Sequence, residues 1–259
     1  MSKYVRICFV LCGLFSLLVS SGLARGFRDV LPSVQDYQID IVTPSGDVEY
    51  SYTSQMKVDT ALNQIVIKAE GSSYTSHSMY DMNLHLLQSQ LIVTSAEDQE
   101  RIGFDQRMAR LTDDNLLVVE FFLDQQLQDD REVKVPEETV DIESLGLYLQ
   151  GLMLQGITEF HGNLFDINSA NKFNRLRVDF MDVSALERLN RKSNFPPQVA
   201  AFMEDTQRIQ VISLGLAGLV RIFFPHRFYV VLENEAPYHI LGFWGGSSAH
   251  LRYHVYTRM

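Results

Sequence analysis

The chain of 259 residues carries 22 lysine and arginine side chains against 32 aspartate and glutamate side chains, a formal net charge of −10 at pH 7. This acidic balance disfavours nucleic acid and anionic lipid surfaces as partners, because both repel a negatively charged protein. At this length, and with 46% hydrophobic residues, the chain can bury a sizeable core without disulfide bonds.

The first 24 residues have the pattern of a cleaved signal peptide. Lys3 and Arg6 give a positive start, an apolar run covers residues 7–19, and Gly22 and Ala24 place small residues before the expected cleavage point. The apolar run is too short for a comfortable membrane span. We therefore expect export, cleavage after Ala24, no stable membrane span in the mature protein and a periplasmic location.

Both cysteines, Cys8 and Cys12, lie inside this leader. Its removal would leave a mature chain without thiols. Such a chain can form no disulfide bond, no thiolate nucleophile and no cysteine-ligated metal site. We expect no cofactor.

Alternation of apolar and polar residues dominates the first half of the chain. Residues 37–42 place Tyr37, Ile39 and Ile41 on one face, and residues 48–58 repeat the pattern after a turn at residues 43–46. Two such segments around a turn predict an antiparallel hairpin. Further strands are predicted at 63–71, 79–87, 90–96, 101–111 and 115–124, and again over much of 157–256.

Two segments break the alternation and predict helices. After Pro136, four apolar residues recur at three- and four-residue spacing behind an acidic first turn: Leu145, Tyr148, Leu149 and Leu152. At about 184–206, Ser184 stands three residues before Glu187, the spacing of a capping box. Pro197 suits the first position of a second helix in that segment.

These elements predict a mainly β fold, a large curled antiparallel sheet that forms a half-barrel or open barrel with two or three short helices. A sheet of this size curls because it must bury one face and limit its edges. We expect residues 25–259 to form a single β-rich domain with a helical insertion at about 184–206.

No catalytic or phosphate-binding motif is present in the sequence. His250 and His254 stand four apart, but on a strand that spacing is about 13 Å, too far to share one metal ion. Ser247 or Ser248 with His250 as base would need a carboxylate from a distant strand to orient the imidazole. We therefore predict no enzymatic activity, and an unrecognised hydrolase is the second alternative.

A curled sheet either packs its own side chains or encloses an apolar cavity. With a cavity, we expect a lipid or other apolar ligand to bind against six residues: Tyr80, Met82, Phe121, Phe180, Phe228 and Trp244. With a filled core, we expect a structural or interaction protein that meets an envelope partner through a sheet edge or surface patch. The sequence leaves both open.

The last stretch, residues 238–256, predicts a closing hairpin with a loop at 245–249. Such a loop would pair Trp244 with His250, Gly242 with Arg252 and Ile240 with His254. In this register the two histidines and Arg252 share a polar face, which we expect to meet solvent.

Three segments of the chain occur in this order: a tyrosine-rich hairpin, then "VPEETVDIESLGLYLQGLML", and finally "FFPHRFYVVLENEAPYHILGFWGG". This layout resembles an uncharacterised family of Gram-negative periplasmic proteins, a domain of unknown function. It is also distantly similar to periplasmic lipoprotein carriers, whose curled sheet is covered by helices. The carrier resemblance implies binding of an acyl chain or other amphiphile, and it supplies no functional residue to carry over.

Overall fold

The computed structural model describes residues 31, 33–82, 84–136, 139–157, 159–165, 173–216, 227–245 and 251–259. These residues form a mainly β fold, as the alternation predicts. Fifteen strands of the described chain join in one curled, unclosed sheet.

The first arm of the sheet is a meander of eight strands. Its bounds are β1 Val34–Val42, β2 Val48–Asp59, β3 Gln64–Gly71, β4 Tyr74–Asp81, β5 Leu86–Val93, β6 Gln106–Leu111, β7 Leu116–Leu123 and β8 Gln126–Lys134. Each strand pairs antiparallel with the next one along the chain. Short polar turns join most of them, so neighbours in sequence become neighbours in the sheet.

The second arm starts at the opposite edge and returns to the first. Its bounds are β9 Thr139–Asp141, β10 Glu159–Phe165, β11 Phe173–Phe180, β12 Ile209–Leu216, β13 Arg227–Glu233, β14 Ile240–Gly245 and β15 Arg252–Arg258. β15 pairs with β1 and so joins the two arms. Only β9 and β10 pair in parallel among the described strands.

The sheet curls without closing, so it has two edge strands, β8 and β9, with an open seam between them. The spatial order runs from β8 through β1 and β15 to β9, so the two edge strands are consecutive in sequence. A pairing of β8 with β9 would close the ring. After β9 the chain instead passes through a helix to β10, which pairs with β9 in parallel. Consecutive parallel strands need such a crossover connection.

In the described parts of the chain, four helices accompany the sheet: α1 Ala96–Ile102, α2 Leu145–Leu154, α3 Val183–Lys192 and α4 Pro197–Met203. α2 is the crossover helix between β9 and β10. It is buried on nearly all sides, because apolar residues surround its axis. None of the helices in the described parts of the chain has the length and apolar character needed to cross a bilayer.

The main core lies on the concave face of the sheet, around α2. Leu149 and Leu152 of this helix pack in one cluster with Ile65 and Leu117 of the first arm and Leu232 of the second. Gln150 also donates to the carbonyl of Tyr238 at 2.9 Å, which ties the helix to the turn before β14. The helix thus fills much of the space that the curled sheet surrounds.

A second core lies on the convex face of β12–β15, under α3 and α4. Leu186, Val199 and Met203 from these helices pack against Val231 and Trp244 from the strands. This part of the sheet is therefore covered on both faces, whereas the convex face of the first arm carries polar residues. Two-sided burial removes the clean polar alternation from these strands.

The structure corrects the start of the predicted crossover helix. Residues 139–141 form β9, and α2 has no acidic residue in its first turn. The helix α1 replaces part of a predicted strand, with Ser95 accepting from the Asp98 N–H at its start and Gly103 at its end. A serine N-cap and a left-handed glycine are ordinary helix boundaries, so that signal was readable in the sequence.

The helices of the insertion begin close to the predicted place, but with a different cap. Asp182 is the N-cap of α3, and its carboxylate accepts the Ala185 N–H at 2.7 Å. Ser184 instead donates to Asp182. Pro197 occupies the first turn of α4, as predicted.

The predicted register of the last hairpin is wrong. Trp244 pairs with Tyr253, Gly242 with Val255 and Phe243 with His254. An odd slip in register moves every side chain of one strand to the other face. His254 therefore lies on the concave face against Phe243 rather than in a solvent-facing row, and His250 lies outside the described residues.

If α2 supports the concave core, Leu149→Ala will lower the free energy of unfolding by about 2–5 kcal/mol, because it leaves a cavity in a packed core. Leu149 is fully buried. Urea denaturation followed by circular dichroism measures the change. Val183→Ala is the control, since this side chain is 60% exposed and should change stability by less than about 0.5 kcal/mol. A loss below about 1 kcal/mol for Leu149→Ala would contradict this role.

Candidate functional site

A row of aromatic side chains crosses the concave face at one end of the sheet, which we call the aromatic band. It begins on β13 with Phe228, whose ring stacks on Phe243 of β14 at 5.9 Å between centroids and an interplanar angle of 1°. Phe243 meets His254 of β15 edge-on at 5.5 Å. His254 pairs with Ile41 on β1, which in turn pairs with Tyr50 on β2.

The band continues as a tyrosine cluster on β2, β4 and β15. Tyr50 lies 6.2 Å from Tyr52 and 6.0 Å from Tyr74, and Tyr52 lies 5.9 Å from Tyr74, measured between ring centroids. The hydroxyl of Tyr52 donates to that of Tyr256. Seven aromatic or imidazole rings therefore line one level of the concave face: Tyr50, Tyr52, Tyr74, Phe228, Phe243, His254 and Tyr256.

Two glycines make room for the ends of this band. A Cβ on Gly71 would overlap the hydroxyl of Tyr50, and a Cβ on Gly245 would overlap the ring of Phe228. Both glycines lie on the concave face, so each lets an aromatic ring lie flat over the neighbouring strand. Aromatic rings over strand glycines also shield backbone that would otherwise meet water.

The rings of the band are deep in the curve of the sheet yet keep part of their surface open. Tyr50, Tyr52, Tyr74 and Tyr256 are all half-buried, and Phe228 is 38% exposed. Burial raises the pKa of Tyr52 and Tyr74 above the ordinary tyrosine range and that of Tyr256 to about 12. Burial lowers the pKa of His254. The band is therefore uncharged at neutral pH and offers an apolar surface with hydroxyl edges.

An interior polar cluster lies beside the band. It joins side chains of β4, β5 and β6 to β9 and the turn before α2, and its members are Ser78, Tyr80, Ser89, Arg107, Asp141 and Glu143. Ser78 donates to Glu143 at 2.6 Å, and Arg107 donates to Ser89 at 2.7 Å. Arg107 Nη2 also lies 3.6 Å from the Glu143 carboxylate. These contacts cross the interior of the curled sheet from one arm to the other.

The second half of this cluster is the pair Tyr80 and Asp141. The Tyr80 hydroxyl donates to Asp141 Oδ2 at 2.7 Å, and the Glu143 backbone N–H donates to the same oxygen at 3.2 Å. Burial, with the nearby Glu143 charge, raises the pKa of Asp141 to about 7. Tyr80 and Arg107 are fully buried, so the cluster acts as a clamp between the arms.

The six residues predicted to line a cavity do not lie together. Tyr80, Met82 and Phe121 belong to the concave core, and Phe180 packs at its margin. Phe228 belongs to the aromatic band. Trp244 lies on the convex face, stacked on Tyr229 at 5.6 Å under α3 and α4. The six are thus divided between the two faces, so they cannot line one cavity.

Sequence reasoning did not single out the tyrosines of the band or the charged residues of the interior cluster. The alternation over residues 48–58 puts Tyr50 and Tyr52 on one strand face, but no local pattern marks that face as concave. Arg107 carried a usable signal, because it alternates with Ala109 on the strand face that carries the core residues. A charged residue at such a position has to find a buried partner.

Neither histidines nor carboxylates gather into a metal site in the part of the chain that the structure describes. Ser247, Ser248 and His250, which the sequence offers as a hydrolase alternative, lie outside the described residues.

Comparison with solved structures shows that the chain is similar in fold to a protein of known structure. No family model and no curated protein sequence matches the chain. The similar structure is a crystal structure of a β-barrel-like protein of the domain of unknown function DUF1849 from Brucella abortus, at 9% sequence identity and a TM-score of 0.43. The match covers 86% of this chain and 94% of that chain. The similarity is to a domain of unknown function, and the similarity to periplasmic lipoprotein carriers stays a prediction.

The buried Asp141 makes stability depend on pH in a predictable direction. The folded carboxyl keeps its proton up to about pH 7, whereas the unfolded one releases it near 3.8. The folded protein therefore loses stability as pH rises from 6 to 8, by about 1.4 kcal/mol for this group. Asp141→Asn should remove this part of the pH dependence. Urea titrations of both proteins at pH 6 and pH 8 test it, and an unchanged slope in Asp141→Asn would contradict it.

Proposed function

We propose that this protein is an exported, non-enzymatic binding protein that holds the apolar part of an amphiphile on the aromatic band. The observation that supports this most is the partial exposure of aromatic rings on a concave face. Aromatic rings in water are costly, and each offers a large apolar area to a ligand.

The shape of the interior favours an open recess over an enclosed cavity. α2 and the concave core occupy the centre of the curled sheet, so a ligand would lie along the band with part of its surface in water. A shallow groove of about 290 Å³ lies on the convex face of β3–β5, away from the band. An amphiphile suits such a recess, because its polar end can stay solvated.

The hydroxyls of the band would give the ligand a polar contact. The Tyr50 hydroxyl is buried and has no hydrogen-bond partner among the described residues. A buried polar group without a partner costs about 1–3 kcal/mol. A hydroxyl, ester or amide group of a ligand would recover that energy once the Tyr50 ring turns, because this oxygen is closed off from solvent in the present conformation.

The filled concave core also supports the alternative of an interaction protein. In that case the band would be a contact surface for an envelope partner, and no small ligand would occupy it. The two functions differ in whether the purified protein holds a lipid.

Export is part of the same proposal and rests on the leader pattern of residues 1–24. Expression of the full chain in a Gram-negative host, with fractionation and intact mass, tests it directly. We expect a periplasmic product that has lost the mass of those residues. A cytoplasmic product of full mass would contradict export without bearing on the band.

The binding test is native mass spectrometry of protein from an envelope fraction, followed by lipid extraction and titration with N-phenyl-1-naphthylamine, a neutral lipophilic fluorophore. We expect a bound lipid and saturable probe binding. Tyr52→Ala should weaken probe binding by about five- to tenfold, since it removes a contact of about 1 kcal/mol or more.

Tyr229→Ala is the matched control, because Tyr229 lies on the convex face of β13 and stacks on Trp244. It should leave probe affinity within about twofold, and thermal melts check that both variants fold. Equal losses in the two variants would exclude the band as the site. A bare polypeptide that binds no probe would favour the interaction protein.

A further inference from the structure

The strand β8 presents an open edge over nearly its whole length. Its partner on one side is β7, and among the described residues no strand covers its other side. Seven of its nine residues are exposed, among them Leu127 at 52%. An edge of this length is a template for pairing with another strand.

The backbone groups of β8 that face this open side can be assigned. The Val135 N–H donates to the Asn115 carbonyl at 2.9 Å, on the β7 side. Backbone directions alternate along a strand, so Arg131 and Val133 also direct their groups to β7. Asp130, Glu132 and Lys134 then direct their N–H and C=O groups to the open edge.

We propose that β8 pairs antiparallel with β8 of a second copy of this chain, on a two-fold axis at Asp130. The side chains of the strand are self-complementary about that point. On the concave face, Asp129 meets the partner's Arg131, and the axis repeats this pair, so two opposite-charge pairs form. Leu127 lies beyond a β-bulge that sets it opposite Phe122, so it does not share the face of Val133.

These pairs do not require Arg131 to lack contacts in the monomer. Its guanidinium already lies 2.8 Å from Asp129 of its own strand and 5.1 Å from the Phe121 ring centroid. A guanidinium has five N–H donors, so it can add the partner's Asp129 to the carboxylate it holds. The dimer then has a ring of four alternating charges over the two paired β8 strands.

Registers in which the axis shifts by one residue lose these opposite-charge pairs. An axis at Arg131 would oppose the two arginines and set Asp130 against Glu132, and an axis at Asp129 would oppose two aspartates. Like charges directly opposite each other destabilise a strand pair. The axis at Asp130 places one such pair, Asp130 against itself, on the solvent-facing side.

A single strand pair is a small interface, below about 1,200 Å², so the dimer is weak and reversible. The Asp130 pair weakens it further. Asp130→Asn should therefore tighten dimerisation severalfold, as measured by sedimentation equilibrium of the mature protein. A looser dimer in this variant would contradict the register.

Cysteine cross-linking tests the register directly, because both native cysteines lie in residues 8–12 and are absent from the mature chain. Asp130→Cys places two thiols opposite each other at about 5.5 Å between Cα atoms, within the range of a disulfide. Gln128→Cys is the control, since its copies would lie four residues apart, about 13 Å. Mild oxidation should cross-link Asp130→Cys and leave Gln128→Cys monomeric.

Charge reversal gives an independent test that does not depend on a thiol. Arg131→Glu turns two attractive pairs into repulsive ones and should weaken the dimer about tenfold or more. The double change Asp129→Arg with Arg131→Asp restores the pattern and should restore the dimer. Melting curves report the fold of each variant.

Three outcomes would overturn the proposal: equal cross-linking of the two cysteine variants, a wild-type chain that stays monomeric at a few hundred micromolar, or a double reversal that fails to recover. Loss of dimer in these variants with unchanged probe binding leaves the proposed ligand site intact, because β8 contributes nothing to the aromatic band.

Discussion

The contact between the turn that follows β9 and the concave face of β4–β6 determines how far the sheet curls. Arg107 and Glu143 approach across the interior, and Tyr80 donates to Asp141 from a strand some sixty residues earlier in the chain. Such a cluster is stable only when its members satisfy one another, because each is costly to bury alone. It therefore holds the two arms at one separation, and α2 then occupies the space between them.

The same arrangement explains the two different ends of the concave face. Where α2 packs, large aliphatic residues of both arms meet the helix and exclude water. Beyond its first turn, no helix of the described residues lies over the strands, and aromatic rings line the surface. Gly71 and Gly245 allow those rings to lie against the sheet, so the band is a surface and not a second core. A protein that needed only stability would gain by covering these rings.

The seam between β8 and β9 follows from the chain direction. β9 is only three residues long and pairs in parallel with β10, which commits the chain to a crossover helix. The ring consequently stays open at β8, whose alternating charges keep it soluble as an edge. The same charges make β8 complementary to a second β8. The strand can therefore resist non-specific pairing and still pair with β8 of a second copy.

Much of the fold could be predicted from the sequence. Alternation located most strands, three- and four-residue spacing located α2, and Pro197 marked the start of α4. These signals are local, since they depend on residues within a few positions of one another. The class of fold followed from their number, because so many short strands must form one large curled sheet.

Only the tertiary structure decided which face of each strand is inside. Alternation assigns residues to two faces but does not label them, and in β12–β15 both faces are buried. Trp244 and Phe243 are therefore equally apolar in sequence, yet one lies under α4 and the other in the aromatic band. The sequence likewise could not show which residues contact Arg107 and Asp141. These contacts join distant parts of the chain, and no local pattern encodes the curvature that brings them together.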